Sequence, residues 1–153
     1  MTKNNVVIAA HLRQNCRTTL TALSRKTGIS VSALFNRIRR PELIGVTRFS
    51  ALVDFPALGF STQATVLLKT VQEKRDALKV HLLKSHSVNS LMRVNNGYDF
   101  LAECVFRDLR GLEEFCDEIV KKYCVKAKEV HCVIEELKRE SFLSDPALLE
   151  VEK

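Results

Sequence analysis

The chain has 153 residues, 46 % of them apolar, and carries 24 Lys/Arg against 18 Asp/Glu, a net charge of +6. That length fits one domain or two small ones, and no stretch reaches the ~18 apolar residues of a bilayer-spanning helix. No charged-then-apolar start resembles a signal peptide, so a cytoplasmic location is expected. The five cysteines are odd in number and lack a C-x-x-C pair, which fits neither a disulfide framework nor a zinc site. Small buried hydrophobes in a reducing compartment are expected instead, with Cys104, Cys116 and Cys132 on apolar faces.

The charge is unevenly spread. Residues 1–50 hold nine basic side chains and one acid, Glu42, a balance of +8, while the other 103 hold 15 basic and 17 acidic, a balance of −2. A basic module joined to a mildly acidic one is the footprint of nucleic-acid binding coupled to something else.

In chain order, residues 4–15 place Val7, Ile8 and Leu12 on one helical stripe, and residues 19–28 do the same with Leu20 and Leu23. Gly28 is a stop signal, and Ser30 is a good N-cap for a third helix. In that helix Val31, Leu34, Phe35 and Ile38 fall on one face, expected to be packed, with Ser32, Ala33, Asn36 and Arg40 opposite and Arg37 and Arg39 at the flanks. Pro41 should end it near Arg40. Two short helices around a tight turn outline a helix-turn-helix, whose second helix enters the DNA major groove.

Residues 46–53 read as an extended linker strand, and residues 54–61, with Pro56 and Gly59, as a turn-rich joint. Strand 62–70, helix 72–86, strands 88–94 and 98–106, helix 108–123 and strand 129–137 follow. This order is the βαββαβ arrangement of a ferredoxin-like sandwich, so the expected fold class is α+β. The expected domains are 1–48 (helix-turn-helix), 49–61 (linker and hinge), 62–140 (βαββαβ) and 141–153 (polar tail). In the strands, Ala64, Val66, Leu68, Phe100, Ala102, Cys104 and Phe106 alternate onto one face, while Leu67, Leu101, Val105 and Val133 fall on the other. Two helices cover one face, so the second predicts a homodimer interface.

The chain resembles the Lrp/AsnC, or feast/famine, transcriptional regulators. The likeness rests on the spacing within residues 16–38, on Gly45–Val46 and Leu58–Gly59, and on residues 93–115, where Gly97-Tyr98-Asp99 precedes a strand and an Arg-Asp-Leu triplet. Pro41 and Thr47 depart from the family pattern at the joint between head and linker. The resemblance implies a DNA-reading head, an effector-binding βαββαβ domain, dimers that assemble further, and an amino-acid effector beside the loop of Val94, Asn95, Asn96, Gly97, Tyr98 and Asp99. Asp99 and Asn95 are then expected to hold the effector's ammonium, although Asn96-Gly97 is also the strongest two-residue hairpin turn in its own right.

Direct base contacts are expected from Ser32, Ala33 and Asn36, since Asn pairs with adenine and an Ala methyl meets thymine's. Arg17, Lys26, Arg37, Arg39, Arg40 and Arg48 are expected on phosphates, with an Arg37–Glu42 ion pair as the alternative for Arg37. No metal or cofactor is expected, and no membrane partner. An enzyme on the same architecture, like certain haem-pathway decarboxylases, is the rival class, although no H-E-x-x-H, phosphate-cradling glycine loop or G-x-S-x-G occurs. A DNA-compacting protein without an effector is the third reading.

Overall fold

Capping chemistry fixes the N-terminal helices. The Thr19 hydroxyl accepts the Ala22 N–H at 3.2 Å and the Ser30 hydroxyl accepts the Ala33 N–H at 3.4 Å, each taking up a donor that a first helical turn leaves unpaired. In the computed structural model, which describes residues 2–147, α1 spans Lys3–Gln14, α2 Leu20–Thr27 and α3 Val31–Ile38. Gly28 closes α2 at φ 70°, a left-handed conformation that a Cβ disfavours. The turn is then tied by the Ser24 hydroxyl to the Ile29 carbonyl at 2.6 Å and by the Thr27 hydroxyl to the Leu23 carbonyl at 2.8 Å. The expected helix-turn-helix is present.

Pro41 opens a 3-10 turn over Pro41–Ile44. The Asn5 side-chain amide donates to the Leu43 carbonyl at 2.7 Å, which seats Ile44 in the core with Ile8, Leu12, Leu23 and Leu34. This core is small, and it corrects the expected packing of α3. Leu34 is fully buried and Ile38 packs beside it, but Val31 is 44 % and Phe35 47 % exposed. The buried side is turned from the apolar stripe by somewhat less than one residue step of about 100°. Five core side chains leave room for one i, i+4 pair of α3, not for two.

Residues 46–53 form no strand. An extended segment becomes a strand only by pairing with another, and no described residue pairs with this one in a ladder. Asp54 then caps a 3-10 turn over Pro56–Leu58, accepting the Ala57 N–H at 3.1 Å.

The second half consists of β1 (Thr62–Thr70), α4 (Arg75–Lys84), β2 (Val88–Arg93), β3 (Phe100–Phe106), α5 (Leu109–Tyr123) and β4 (Val125–Cys132). The sheet order is β2-β3-β1-β4, antiparallel throughout, which is the expected ferredoxin-like sandwich. Ala64, Val66, Leu68, Phe100, Ala102, Cys104 and Phe106 all face the core beneath Leu78 and Leu82 of α4 and Leu112, Phe115, Cys116, Ile119 and Tyr123 of α5. On α5 the packed side leaves out Leu109 and Val120, which are exposed.

The last strand lies earlier than residues 129–137. The Thr70 hydroxyl donates to the Tyr123 carbonyl and pins the end of α5 to the end of β1, so β4 starts at once and pairs Thr70↔Val125 through Ala64↔Cys132. The ladder stops because β1 begins at Thr62. Ile134 and Leu137 are therefore exposed, and Cys132 is exposed rather than buried.

Among the described residues two compact units result, one of residues 2–52 with 137–147, the other Val53–Glu136. Arg13 of α1 holds the segment in the first unit, donating to the Glu140 carboxylate at 2.8 Å and its carbonyl at 3.0 Å. Of the polar tail expected over residues 141–153, positions 148–153 lie outside the described residues.

Burial pushes the Cys104 thiol up to about 12 and raises that of Cys116, so neither forms appreciable thiolate near neutral pH. A charged disulfide reagent at pH 8 is expected to modify Cys16, Cys124 and Cys132, which are exposed, and to reach Cys104 and Cys116 only in denaturant. Early modification of either buried thiol, read by peptide mass, would contradict this core.

Candidate nucleic-acid interface and effector loop

The exposed side of α3 follows from its rotation. Val31, Ser32, Phe35, Asn36 and Arg39 face solvent, and Arg40 continues that surface beyond the helix. Ala33 and Arg37 are half-buried on the flank. Asn36, Arg37, Arg39 and Arg40 line one groove of about 600 Å³ with Leu43 as its apolar wall. Arg37 points one guanidinium nitrogen inward without a hydrogen-bond partner, and no described ion pair joins it to Glu42. Arg39 lies over the Phe35 ring, 5.5 Å from its centroid.

The remaining cationic candidates stand apart from this groove. Arg17 and Lys26 are exposed at the start and end of the α2 region, and Arg48 is exposed on the unpaired linker. Nearby, burial and then the Lys26 charge hold His11 below its ordinary pKa, which favours the neutral imidazole.

In the second unit, the β2–β3 connection turns at Asn96 and Gly97, both with positive φ (59° and 97°), as a tight hairpin requires. The Val94 N–H donates to the Asp99 carbonyl at 3.2 Å and the Asp99 N–H to the Leu68 carbonyl at 2.8 Å. Asp99 itself is 12 % exposed and uses both carboxylate oxygens inside the unit, one on Arg75 at 2.8 Å and one on the Thr70 N–H at 2.9 Å. Asn95, Asn96 and Gly97 are exposed and Val94 and Tyr98 half-buried. The Tyr98 hydroxyl donates to Glu129. That bond holds the Glu129 carboxyl below its usual range and raises the Tyr98 phenol. His131 lies 3.4 Å from the other Glu129 oxygen.

Sequence reasoning missed two things here. Phe35 is exposed where its spacing predicts core, and the Asp99–Arg75–Thr70 lock joins residues 24 to 29 positions apart, which no local spacing reports. A shallow groove of the second unit, about 520 Å³, lies between α4 and α5 near His81, Glu114 and Glu118 and includes no residue of the hairpin. Among the described residues, no group of three or more His, Cys, Asp or Glu could hold a metal ion, and no helix is long and apolar enough to cross a membrane.

On the helix-free face of the sheet, Leu67 pairs with Leu101 and Gln63 with Val105. Met92 sits beside Leu101, and Val133 reaches the same face through its N–H bond to the Gln63 carbonyl at 2.8 Å. Leu67, Leu101 and Val105 are half-buried and Val133 is exposed. Thr65, Glu103, Glu129 and His131 interleave with them, so the face is amphiphilic.

The family model described as the Lrp/AsnC ligand binding domain matches residues 63–143. An uncharacterized HTH-type transcriptional regulator of Pyrococcus furiosus is 30 % identical over 121 residues, 76 % of this chain and 78 % of that one. The HTH-type transcriptional regulator FL11 of Pyrococcus abyssi is 28 % identical over 109 residues, 71 % of this chain and 72 % of its own. The fold agrees with the transcriptional regulator NMB0573 of Neisseria meningitidis, solved in complex with L-Met, at a TM-score of 0.81 and 22 % identity over 91 % of this chain and 93 % of that one. It also agrees with the leucine response regulatory protein LrpA of Mycobacterium tuberculosis, at 0.77 and 22 % over 92 % and 97 %. The named relatives regulate transcription, which sets aside the decarboxylase-like reading. A helix-turn-helix with a cationic groove, followed by a βαββαβ sandwich that matches the family's own model, makes this chain a member of the Lrp/AsnC family of transcriptional regulators.

Proposed function

We propose that this chain acts as a dimer on duplex DNA through α3 and answers to a small molecule, an amino acid by its chemistry, at the Val94–Asp99 hairpin. The observation that carries the reading is the free side of α3, with Ser32 and Asn36 exposed beside a groove of three arginines in the unit that holds the chain's positive charge. Ser32, Ala33 and Asn36 read base edges. Arg17, Lys26, Arg37, Arg39, Arg40 and Arg48 hold phosphates, fixing position without reading sequence. Ala33, half-buried, touches DNA through its free edge only.

Asn95, Asn96 and Gly97 are exposed and line neither groove, so an effector there takes a second wall from a neighbouring copy. Asn95 and the exposed N–H groups near Gly97 are free to meet an amino acid's charged ends, while Asp99 keeps the loop in place rather than gripping the ligand directly. The dimer forms through Leu67, Leu101, Val105 and Val133 on the open sheet face, further assembly of dimers supplies the wall, and the protein works in the cytoplasm. Two heads in a dimer favour operator half-sites one helical turn, about 34 Å, or a multiple apart.

Binding of the full chain to its own upstream region is expected to exceed binding to random duplex at the same salt, and Asn36→Ala should lose ~1–3 kcal/mol of discrimination at one base pair. Equal binding to both duplexes would fit a DNA-compacting protein instead. Replacing Asp99 by Ala frees Arg75 and leaves the Thr70 N–H unpaired. It should lower unfolding stability by about 1–3 kcal/mol and abolish the amino-acid response of DNA affinity. An unchanged response in anisotropy titrations would remove the hairpin from effector binding. Val105→Asp should yield a monomer in sedimentation velocity, and an unaltered oligomer would overturn the sheet-face interface.

A further inference from the structure

The small N-terminal core leaves two apolar side chains of α3 uncovered. Phe35 and Val31, one turn apart, are 47 % and 44 % exposed on the same side as Ser32, Asn36 and Arg39. Neither belongs to the core cluster, which closes with Ile8, Leu12, Leu23, Leu34 and Ile44. Arg39 stacks over the Phe35 ring at 5.5 Å, so a cation limits the ring's freedom without removing its edge from solvent.

Resting on the DNA-binding reading above, we infer that Phe35, flanked by Val31, reads the C5-methyl group of thymine in the major groove. Charge decides the occupant. The patch lies in the unit with a balance of +8 over residues 1–50, beside the groove of Arg37, Arg39 and Arg40. A polyanion is the partner such surroundings attract. On duplex DNA the major-groove apolar feature is the thymine methyl, which Phe is suited to contact. Val31 and Phe35 lie about 6 Å apart along the helix axis, close to the span of two base-pair steps. Asn36, adjacent to Phe35, suits the adenine edge, so the two side chains together favour A·T pairs at the centre of each half-site. Arg39 has two roles in this arrangement, steadying the ring and meeting a phosphate at its edge.

The test uses the full-length protein and the best duplex that it selects from a random pool. Each thymine of that site is replaced singly by deoxyuridine, which removes one methyl group and nothing else. Wild type is expected to weaken about fourfold at one or two positions, the ~0.8 kcal/mol of one buried carbon. Phe35→Ala is expected to bind the thymine duplex more weakly and to be indifferent to the same replacements, with its salt dependence and thermal midpoint unchanged. Phe35→Leu should keep part of the methyl preference. Wild-type indifference to deoxyuridine at every position, or a Phe35→Ala protein that still senses the methyl, overturns the inference while leaving the DNA-binding reading intact. A loss of self-association in Phe35→Ala overturns it too, because a second copy would then cover the patch. Failure of wild type to bind any duplex in dilute salt overturns both.

Discussion

Leu34 sets the rotation of α3, and what the N-terminal unit offers to a partner follows from that rotation. Its side chain is fully buried among Ile8, Leu12, Leu23 and Ile44, and a cluster of this size admits one apolar pair from the helix. With Leu34 and Ile38 turned inward, Ser32, Phe35, Asn36 and Arg39 turn outward together. Truncating Leu34 would remove a core contact in a unit with few to lose. The Ser30 cap, the left-handed Gly28 and the 3-10 turn opened by Pro41 serve the same end, since each fixes where α3 starts, enters or stops. Pro41 cannot continue the helix, and in the turn it opens Leu43 forms a wall of the arginine groove.

In the second unit the corresponding role falls to Asp99. One carboxylate fastens the end of the β2–β3 hairpin to the last residue of β1 and the first residue of α4. Thr70, at that same end of β1, holds the close of α5 through Tyr123. A ligand at the hairpin would thus press on a junction from which two helices and the central strands depart. The opposite face of the sheet, with apolar side chains set among Thr65, Glu103, Glu129 and His131, suits association that is specific in register, because each polar group needs a matching partner once water is excluded.

The sheet and its buried face were legible because alternation with period two is enforced by the pleat, and every core residue assigned to β1 and β3 is buried. Caps were legible for a similar reason, as Ser30 and Gly28 act on their own neighbours. What failed depends on distant parts of the chain. The start of β4 is dictated by the Thr70–Tyr123 bond, the fate of residues 46–53 by the absence of a pairing partner among the described residues, and the exposure of Phe35 by how few side chains meet in the head. Of the proposed DNA contacts, Ser32, Asn36, Arg39 and Arg40 share the exposed side of α3, as helical spacing dictates, whereas Arg17, Lys26 and Arg48 lie elsewhere on the surface.

The most direct measurement is a titration of the labelled full-length protein with its selected duplex, followed by backbone and side-chain NMR. The largest shifts are expected at Ser32, Phe35, Asn36 and Arg39, with Leu34 and the sheet residues Leu67 and Leu101 little changed. Shifts centred on the open sheet face, or an α3 that does not respond to saturating duplex, would contradict a DNA-reading surface set by the rotation of that helix.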